Sequence, residues 1–420
     1  MAPDSYTEVT HESWFSRLGG AFKGIFFGLL LILGSCVLLF WNEGRAVERH
    51  KTLEEGEGAV VSVSVDRVDP AHEGDLVHVT GRAETDETLT DETFGVSAEA
   101  LRLERQVEMY QWQEEERKET EKKVGGGTQT TTTYSYDKTW SERLIDSDAF
   151  QRPGGHENPD AMPWESRQVA ADRVTLGDYE LSRSLVQKID RWESLRLDPP
   201  EATLPEALPT RASGEPRFHD GGLYFGEGSP SSPEIGDVRV SFRVVKPTEV
   251  SIVAQQAGNS FRPFQAEAGG TLELLELGRV TAQDMFAAAQ RRNTLLTWGL
   301  RLAGLLLMAF GFSLILRPLS VLADVIPLLG SLVGAGLGFV SFLLSAFISL
   351  IVIAVAWIFY RPLLGIALLV LAVGFVVWLV RRTQKAPSVQ PPKMQSRAPA
   401  SSSQEGTAPP PPPPPPGGAK

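Results

Sequence analysis

Gly24-Ile-Phe-Phe-Gly-Leu-Leu-Leu-Ile-Leu-Gly-Ser-Cys-Val-Leu-Leu-Phe-Trp41 carries no charged residue over 18 positions. As a helix rising 1.5 Å per residue it would extend about 27 Å, enough to cross the hydrocarbon core of a bilayer. A cleaved signal peptide would show a shorter apolar stretch and a small-residue cleavage pattern behind it. Leu33-Gly34-Ser35-Cys36 has lipobox form, but Val37–Trp41 stays apolar where a lipidated start turns polar. The stretch therefore predicts an anchor helix at 24–41, preceded by a short N-terminal segment, 1–23.

A second apolar block runs from Leu295 to Val380. Its first span, 295–316, includes an interfacial Trp298 and closes at Arg317-Pro318; Arg301 lies one turn inside, where it can snorkel to the headgroups. Val325–Tyr360 would be about 54 Å long as one helix, too long for a single straight span. The reading is a surface or re-entrant segment over 317–332, broken at Pro327, followed by a span at 333–359. Arg361-Pro362 then turns the chain into a fourth span, 363–380. Arg381, Arg382, Lys385, Lys393 and Arg397 crowd the end of that span and favour a cytoplasmic C-terminus. Four spans return the N-terminus, with Arg17 and Lys23, to the same side, so 42–294 is expected across the membrane. The tail, 381–420, ends in Pro409–Pro416 and Gly-Gly-Ala-Lys and reads as a disordered spacer.

The 42–294 segment holds 47 of the 52 acidic residues but only 29 of the 40 basic ones. That asymmetry excludes a uniform cytosolic globule. It also excludes a nucleic-acid binder, which needs a basic surface against phosphates. A single cysteine excludes an intramolecular disulfide and a cysteine-based zinc site. Alternation marks strands at Ala59–Val65, Leu76–Thr80, Val238–Val244, Val250–Ala254 and Leu272–Leu277. Val107–Glu119 and Thr128–Arg143, joined by Gly125-Gly126-Gly127, read as a hairpin. Leu181, Leu185 and Ile189, near Val186 and Trp192 and followed by Pro199-Pro200, predict a helix. Thr281 with Asp284 has capping-box spacing before a helix expected to run unbroken into the span at 295. The fold class is an α-helical membrane bundle of four spans plus a large α+β, mainly antiparallel β, extracytoplasmic domain.

Chemistry is harder to find. His72 and His78 bracket Glu73 and Asp75, but the spacing matches no zinc motif. The acidic clusters Glu84–Asp91 and Glu114–Glu116 lack the positioned glycine of a calcium loop. His156-Glu157-Asn158-Pro159 lies in an irregular stretch of the kind that carries function, without a nucleophile beside it in sequence. No catalytic, cofactor or metal residue is assigned. Gly20, Gly24 and Gly28, and again Gly330, Gly334 and Gly338, clear one helical face each and suggest close helix packing. Trp41-Asn42-Glu43-Gly44-Arg45 reads as an interfacial cap, with Arg45 near lipid phosphates. No ionisable residue lies near the middle of a span, which argues against a proton-coupled transporter or ion pathway.

In their order along the chain, several stretches resemble the LUMA, or transmembrane protein 43, family. They are Trp41–Val47 (WNEGRAV), Glu108–Trp112 (EMYQW, with Tyr110), Tyr134–Tyr136 with Trp140, and His156–Ser166 (HENPDAMPWES, with Asn158). Gly236–Phe242 (GDVRVSF), Trp298–Arg301 (WGLR) and Phe359–Leu363 (FYRPL, with Arg361 and Pro362) complete the set. The resemblance implies one N-terminal span, a large lumenal domain and a C-terminal group of spans, and it supplies no catalytic residues. It implies a scaffold that organises membrane-protein complexes by self-association, in the endoplasmic reticulum and inner nuclear membrane of animals. The proline-rich tail departs from the family, and with the lipobox form it suggests a bacterial member, with 42–294 in the periplasm and the helices in the inner membrane. The expected function is a non-enzymatic multi-pass scaffold, with the lipid bilayer, further copies and other membrane proteins as partners. The competing expectation is a lipid-handling or hydrolytic enzyme acting at the membrane surface near His156.

Overall fold

The computed structural model describes residues 4–197 and 216–363, with isolated positions beyond as far as Val377. Three helices among these residues are long and apolar enough to cross a membrane: α1 (Trp14–Ala59), α3 (Ala282–Ala323) and α4, whose apolar part is Gly330–Tyr360 of Pro327–Tyr360. Ser13 caps α1 by accepting from Ser16 N, and Thr281 caps α3 by accepting from Asp284 N. The fourth expected span, 363–380, lies for the most part outside the described residues, and so does the 381–420 tail.

Three boundaries differ from those expected. The helix of the first span does not stop at Trp41 but continues through a charged stretch to Ala59. Packing holds that extension: Leu53 is fully buried with Leu76, Val253, Leu272, Met285 and Phe286. A Cβ on Gly56 would stand 2.2 Å from Leu272 Cδ1, so the close approach requires glycine. Pro318 does not end α3; it costs one backbone hydrogen bond, which membrane helices tolerate. Residues 317–332 are therefore no separate interfacial segment. They comprise the last turns of α3, the Asp324–Ile326 link and the first turns of α4, which Pro327 opens at a position suited to proline. From Pro327 to Tyr360 the chain is one helix, longer than a hydrocarbon core and projecting past it.

The β part is two main sheets sharing one core, with two short two-stranded sheets, Thr88–Asp91 with Val96–Glu99 and Phe264–Gln265 with Thr271–Leu272. The larger has eight strands, among them β1 (Ser5–Glu12), β3 (Arg102–Lys122), β4 (Thr128–Ser141), β5 (Gly222–Phe225) and β6 (Val238–Val245). The smaller has seven and is centred on β2 (Leu76–Glu84) and β7 (Thr248–Ala257). Their inner faces supply the main core, with Val77, Val79 and Ile252 opposing Leu103, Val107, Met109, Val240 and Phe242. Pairing is antiparallel throughout except at Val61–Ser62 with Val77–His78 and at Glu180 with Ser260. Of the expected strand at Ala59–Val65 only Val61–Ser62 is a strand. The helix expected from Leu181 shrinks to α2 (Arg183–Lys188), because Trp192 already pairs with Val245.

The hairpin is longer than its alternation indicated. β3 and β4 pair from Met109↔Ser141 to Lys122↔Thr128. Gly125 and Gly126 turn the tip at φ of +90° and +82°, conformations that suit glycine. β1 pairs with β4 over Ser5↔Ser135 to Glu12↔Thr128, making a three-stranded arm. Residues 5–12, expected across the membrane from 42–294, belong to the same sheet as 102–141. At the tip Asp324 receives Arg17 Nη2 at 2.6 Å and Lys122 Nζ at 2.6 Å, while Trp14 Nε1 donates to Val321 O at 2.9 Å. Arg17 starts α1 and Asp324 ends α3, so the tip meets the end of the bundle remote from the sandwich. The lengths agree: Tyr110 to Lys122 extends about 40 Å as strand, and Arg17 to Arg45 about 42 Å as helix.

α1 lies against α3 where side chains vanish. A Cβ on Gly28 would stand 2.6 Å from Gly311 O, and one on Gly311 2.8 Å from Gly28 O. Gly28→Leu is expected to cost roughly 1–3 kcal/mol through overpacking and to lower the thermal unfolding midpoint in detergent. Gly20, with nothing within 4 Å, should accept leucine without that loss; equal melting of the two variants would contradict the contact.

Candidate functional site

Three stretches singled out in sequence, Trp41–Val47, Trp298–Arg301 and Phe359–Leu363, meet with Trp357 where α1, α3 and α4 leave the apolar zone. Asn42 and Glu43 are buried. Arg301 does not snorkel to the surface as expected: its Nε donates to Glu43 Oε1 at 2.6 Å and its Nη2 to Oε2 at 2.8 Å. Trp357 Nε1 donates to the same Oε2 at 2.8 Å. The Arg301 guanidinium lies 4.7 Å from the Trp298 ring and 5.9 Å from that of Trp357. A Cβ on Gly44 would stand 2.6 Å from Tyr360 Cζ, so this glycine admits the Tyr360 ring. Two hydrogen bonds in fork geometry fix the angular relation of α1 to α3, and the indole bond adds α4.

Arg45, one turn on, is held by neutral groups. It donates to Asn293 Oδ1 at 3.1 Å, Thr297 Oγ1 at 3.1 Å and Asn42 Oδ1 at 3.3 Å. Asn42 Nδ2 donates to Thr297 O and Asn293 Nδ2 to Ala46 O, tying side chain to backbone across the two helices. Trp41 remains 54% exposed at the rim, as an interfacial indole would be. Asn293, Thr297 and Trp357 were not legible as partners, because each lies at least 247 residues from the residue it meets on α1.

The remaining motif residues gather where the arm leaves the sandwich. His156 is buried, stacked on Tyr136 at 3.9 Å between ring centroids and edge-on to Trp112 at 4.7 Å. Its Nδ1 is bonded to Arg152 O and its Nε2 to Asp4 Oδ2, each at 3.0 Å, so both ring nitrogens are engaged in structure. Asn158 behaves like a piece of strand: its Oδ1 accepts from Trp112 N at 2.7 Å and its Nδ2 donates to Trp112 O at 2.9 Å. Tyr110 packs on Trp140, with the Arg239 guanidinium 4.7 Å from the Trp140 ring. Burial, followed by the Glu114 carboxylate that its hydroxyl meets, pushes the Tyr136 phenol up to about 12. Burial and the Asp237 carboxylate likewise push that of Tyr224 up.

The glycine positions divide. Gly28 and, more loosely, Gly24 face Gly311 and Leu314; Gly330 sits against Asp324 and Gly334 near Ser320 Oγ; Gly20 and Gly338 have nothing within 4 Å. Gly311 and Gly304, the glycines of α3 that receive Ile32 and Leu39, were missed because they do not recur every four residues. Arg361 and Pro362 end α4, Arg361 N donating to Trp357 O. Among the described residues no three His, Cys, Asp or Glu side chains converge as a metal site.

A family profile described as Transmembrane protein 43 matches residues 109–362. The chain is 37% identical to human Transmembrane protein 43 over 386 residues, covering 89% of this chain and 93% of the relative. It is 36% identical to the orangutan protein over the same length, and 31% identical to the Drosophila melanogaster homolog over 362 residues. No solved structure matches.

Breaking the Glu43–Arg301 pair from one side leaves a buried charge alone, which costs roughly 3–5 kcal/mol. Glu43→Gln and Arg301→Gln should each lower the unfolding midpoint sharply, and the double variant should be less affected than the sum. Strict additivity in that cycle would contradict the pairing.

Proposed function

From the premise that this chain belongs to the transmembrane protein 43 family, we propose that it is a membrane scaffold that assembles through its three-stranded arm. The observation that carries this reading is the arm itself. It reaches the end of the bundle remote from the sandwich, so wherever the helices lie in a bilayer the arm lies beside them at the same depth. Glu115–Lys122 of β3 are exposed, and β1, an edge strand, is exposed or half-buried. An open sheet edge and charged side chains are not tolerated against lipid. A second protein surface covering the arm removes the conflict, and further copies of this chain supply one.

The arm's charges suit such a setting. Arg117 pairs with Glu119 at 2.9 Å, Lys123 with Glu121 at 2.8 Å, and Lys118 with Glu116. Lys122 is neutralised by Asp324. The strand thus offers a partner alternating, internally compensated charge rather than a field of one sign.

The remaining elements take supporting roles. The Glu43–Arg301 junction and the Leu53 cluster couple helices to sandwich, so that a partner on the sandwich and one on the arm feel the same rigid body. The basic flank at Arg381–Arg397 favours a cytoplasmic tail, and with a fourth span at 363–380, as the sequence suggests, the sandwich is on the lumenal or periplasmic side. A hydrolytic role for the His156 loop finds no support, since both ring nitrogens of that residue are spent on structural bonds.

The test uses Cys36→Ser to remove the one native thiol and Thr7→Cys to place one on the outer edge strand. Oxidation in native membranes should give cross-linked species of more than one chain. A thiol that forms no cross-link and reacts freely with a water-soluble maleimide would count against the assembly.

A further inference from the structure

A cavity of about 540 Å³ opens where α1 and α3 leave the apolar zone, under the hairpin loop that contains Gly269 and Gly270. Arg45, Arg49, Arg292, Asn293 and Leu296 line it, with Glu48 as its one acidic residue. Arg45 and Arg49 are four apart on α1 and so share a helix face. Like charges so placed repel, and among the described residues no carboxylate pairs with either guanidinium, although Glu43 acts on Arg45 from a distance and Glu48 lines the same cavity. Arg49 Nη1 donates to a backbone carbonyl, Thr271 O, at 2.7 Å, and Arg45 to Asn293, Thr297 and Asn42. Arg45 Nε is buried with no acceptor at all. Arg292 reaches Glu276 at 2.7 Å from the rim, where it is 67% exposed.

Depth fixes the kind of anion. The exposed indoles of Trp41 and Trp298 mark the headgroup level on α1 and α3. Arg45 stands one turn above Trp41, about 6 Å, and Arg292 about 9 Å above Trp298. Leu296, 51% exposed, lines the cavity between Arg292 and the level of Trp298, with Leu295, 72% exposed, beside it. Guanidiniums above and bare leucines below match a phosphate ester carrying a hydrocarbon tail. We infer that this cavity binds the phosphate of an anionic phospholipid headgroup, with Arg49 and Arg292 as its principal donors and Arg45 as a fixed charge beneath. Arginine suits the task because its planar fork meets two phosphate oxygens at once.

The inference requires membrane insertion but not the arm-mediated assembly. Both are read from one native mass spectrum, where oligomer size reports the assembly and retained lipid reports the site. Full-length protein in neutral detergent is titrated with short-chain phosphatidic acid, with phosphatidylcholine of the same chains, and with inorganic phosphate. Phosphatidic acid should be retained and should raise the unfolding midpoint, whereas the other two should not. Arg49→Gln with Arg292→Gln, which spares the Arg45 contacts, should bind phosphatidic acid at least about tenfold more weakly, as loss of charge-assisted hydrogen bonds implies. Arg49→Lys with Arg292→Lys should keep part of the affinity. Equal effects of phosphatidylcholine, or wild-type affinity in the glutamine variant, would overturn the site. An equal effect of inorganic phosphate would overturn the lipid as its source.

Discussion

A carboxylate and a guanidinium held out of water, Glu43 and Arg301, set the geometry at the exit from the apolar zone. Neither group can stay there alone, because an unpaired buried charge costs far more than the pair returns. The fork between them therefore imposes one rotation of α1 against α3. Trp357 and Tyr360, one bonded to Glu43 and the other seated on Gly44, then place α4. The continuation of α1 to Ala59 follows from that registration, because it brings Leu53 and Gly56 beneath the smaller sheet and against Phe286.

A second charged contact, Asp324 with Arg17 and Lys122, closes the other end. Together the two clusters bracket the apolar length of the bundle, and the arm has the length to join them. The arm is polar because the stretch between the brackets must form a ladder of backbone hydrogen bonds without an apolar face of its own. That composition is incompatible with lipid and compatible with protein, which is why the assembly reading follows from the arm rather than from the helices. The cavity ringed by Arg45, Arg49 and Arg292 lies on the outer side of the Glu43 cluster. There the bundle has turned polar.

Much of this was legible in the sequence. An uncharged run of 18 residues can hardly be anything but a membrane helix, and alternation through Met109–Gln113 announced the hairpin. The Thr281–Asp284 cap and the unbroken run into α3 were legible because capping is local. What stayed hidden depended on partners far away. Ser5–Glu12 has no strand signature of its own and becomes a strand only by pairing with β4. Residues 42–59 look like surface, and tertiary contacts alone keep them helical. Pro318 marked a helix end by propensity, yet α3 passes through it to reach the Asp324 cluster. Arg301 read as a snorkelling residue because its partner, Glu43, is 258 positions away. The motifs of the resemblance are scattered in sequence and gather only in the fold, so they could not say which residues meet.

The claim that most of the account rests on is that protein, not lipid or water, covers the arm. A fluorophore attached at Thr131 in a cysteine-free background, in native-like bilayers, tests it through collisional quenching. The account expects protection both from bromine-labelled lipid chains and from a water-soluble quencher, and exposure to the soluble quencher once detergent separates the assembly. Strong quenching by the brominated lipid, or by the soluble quencher in the intact bilayer, would contradict it.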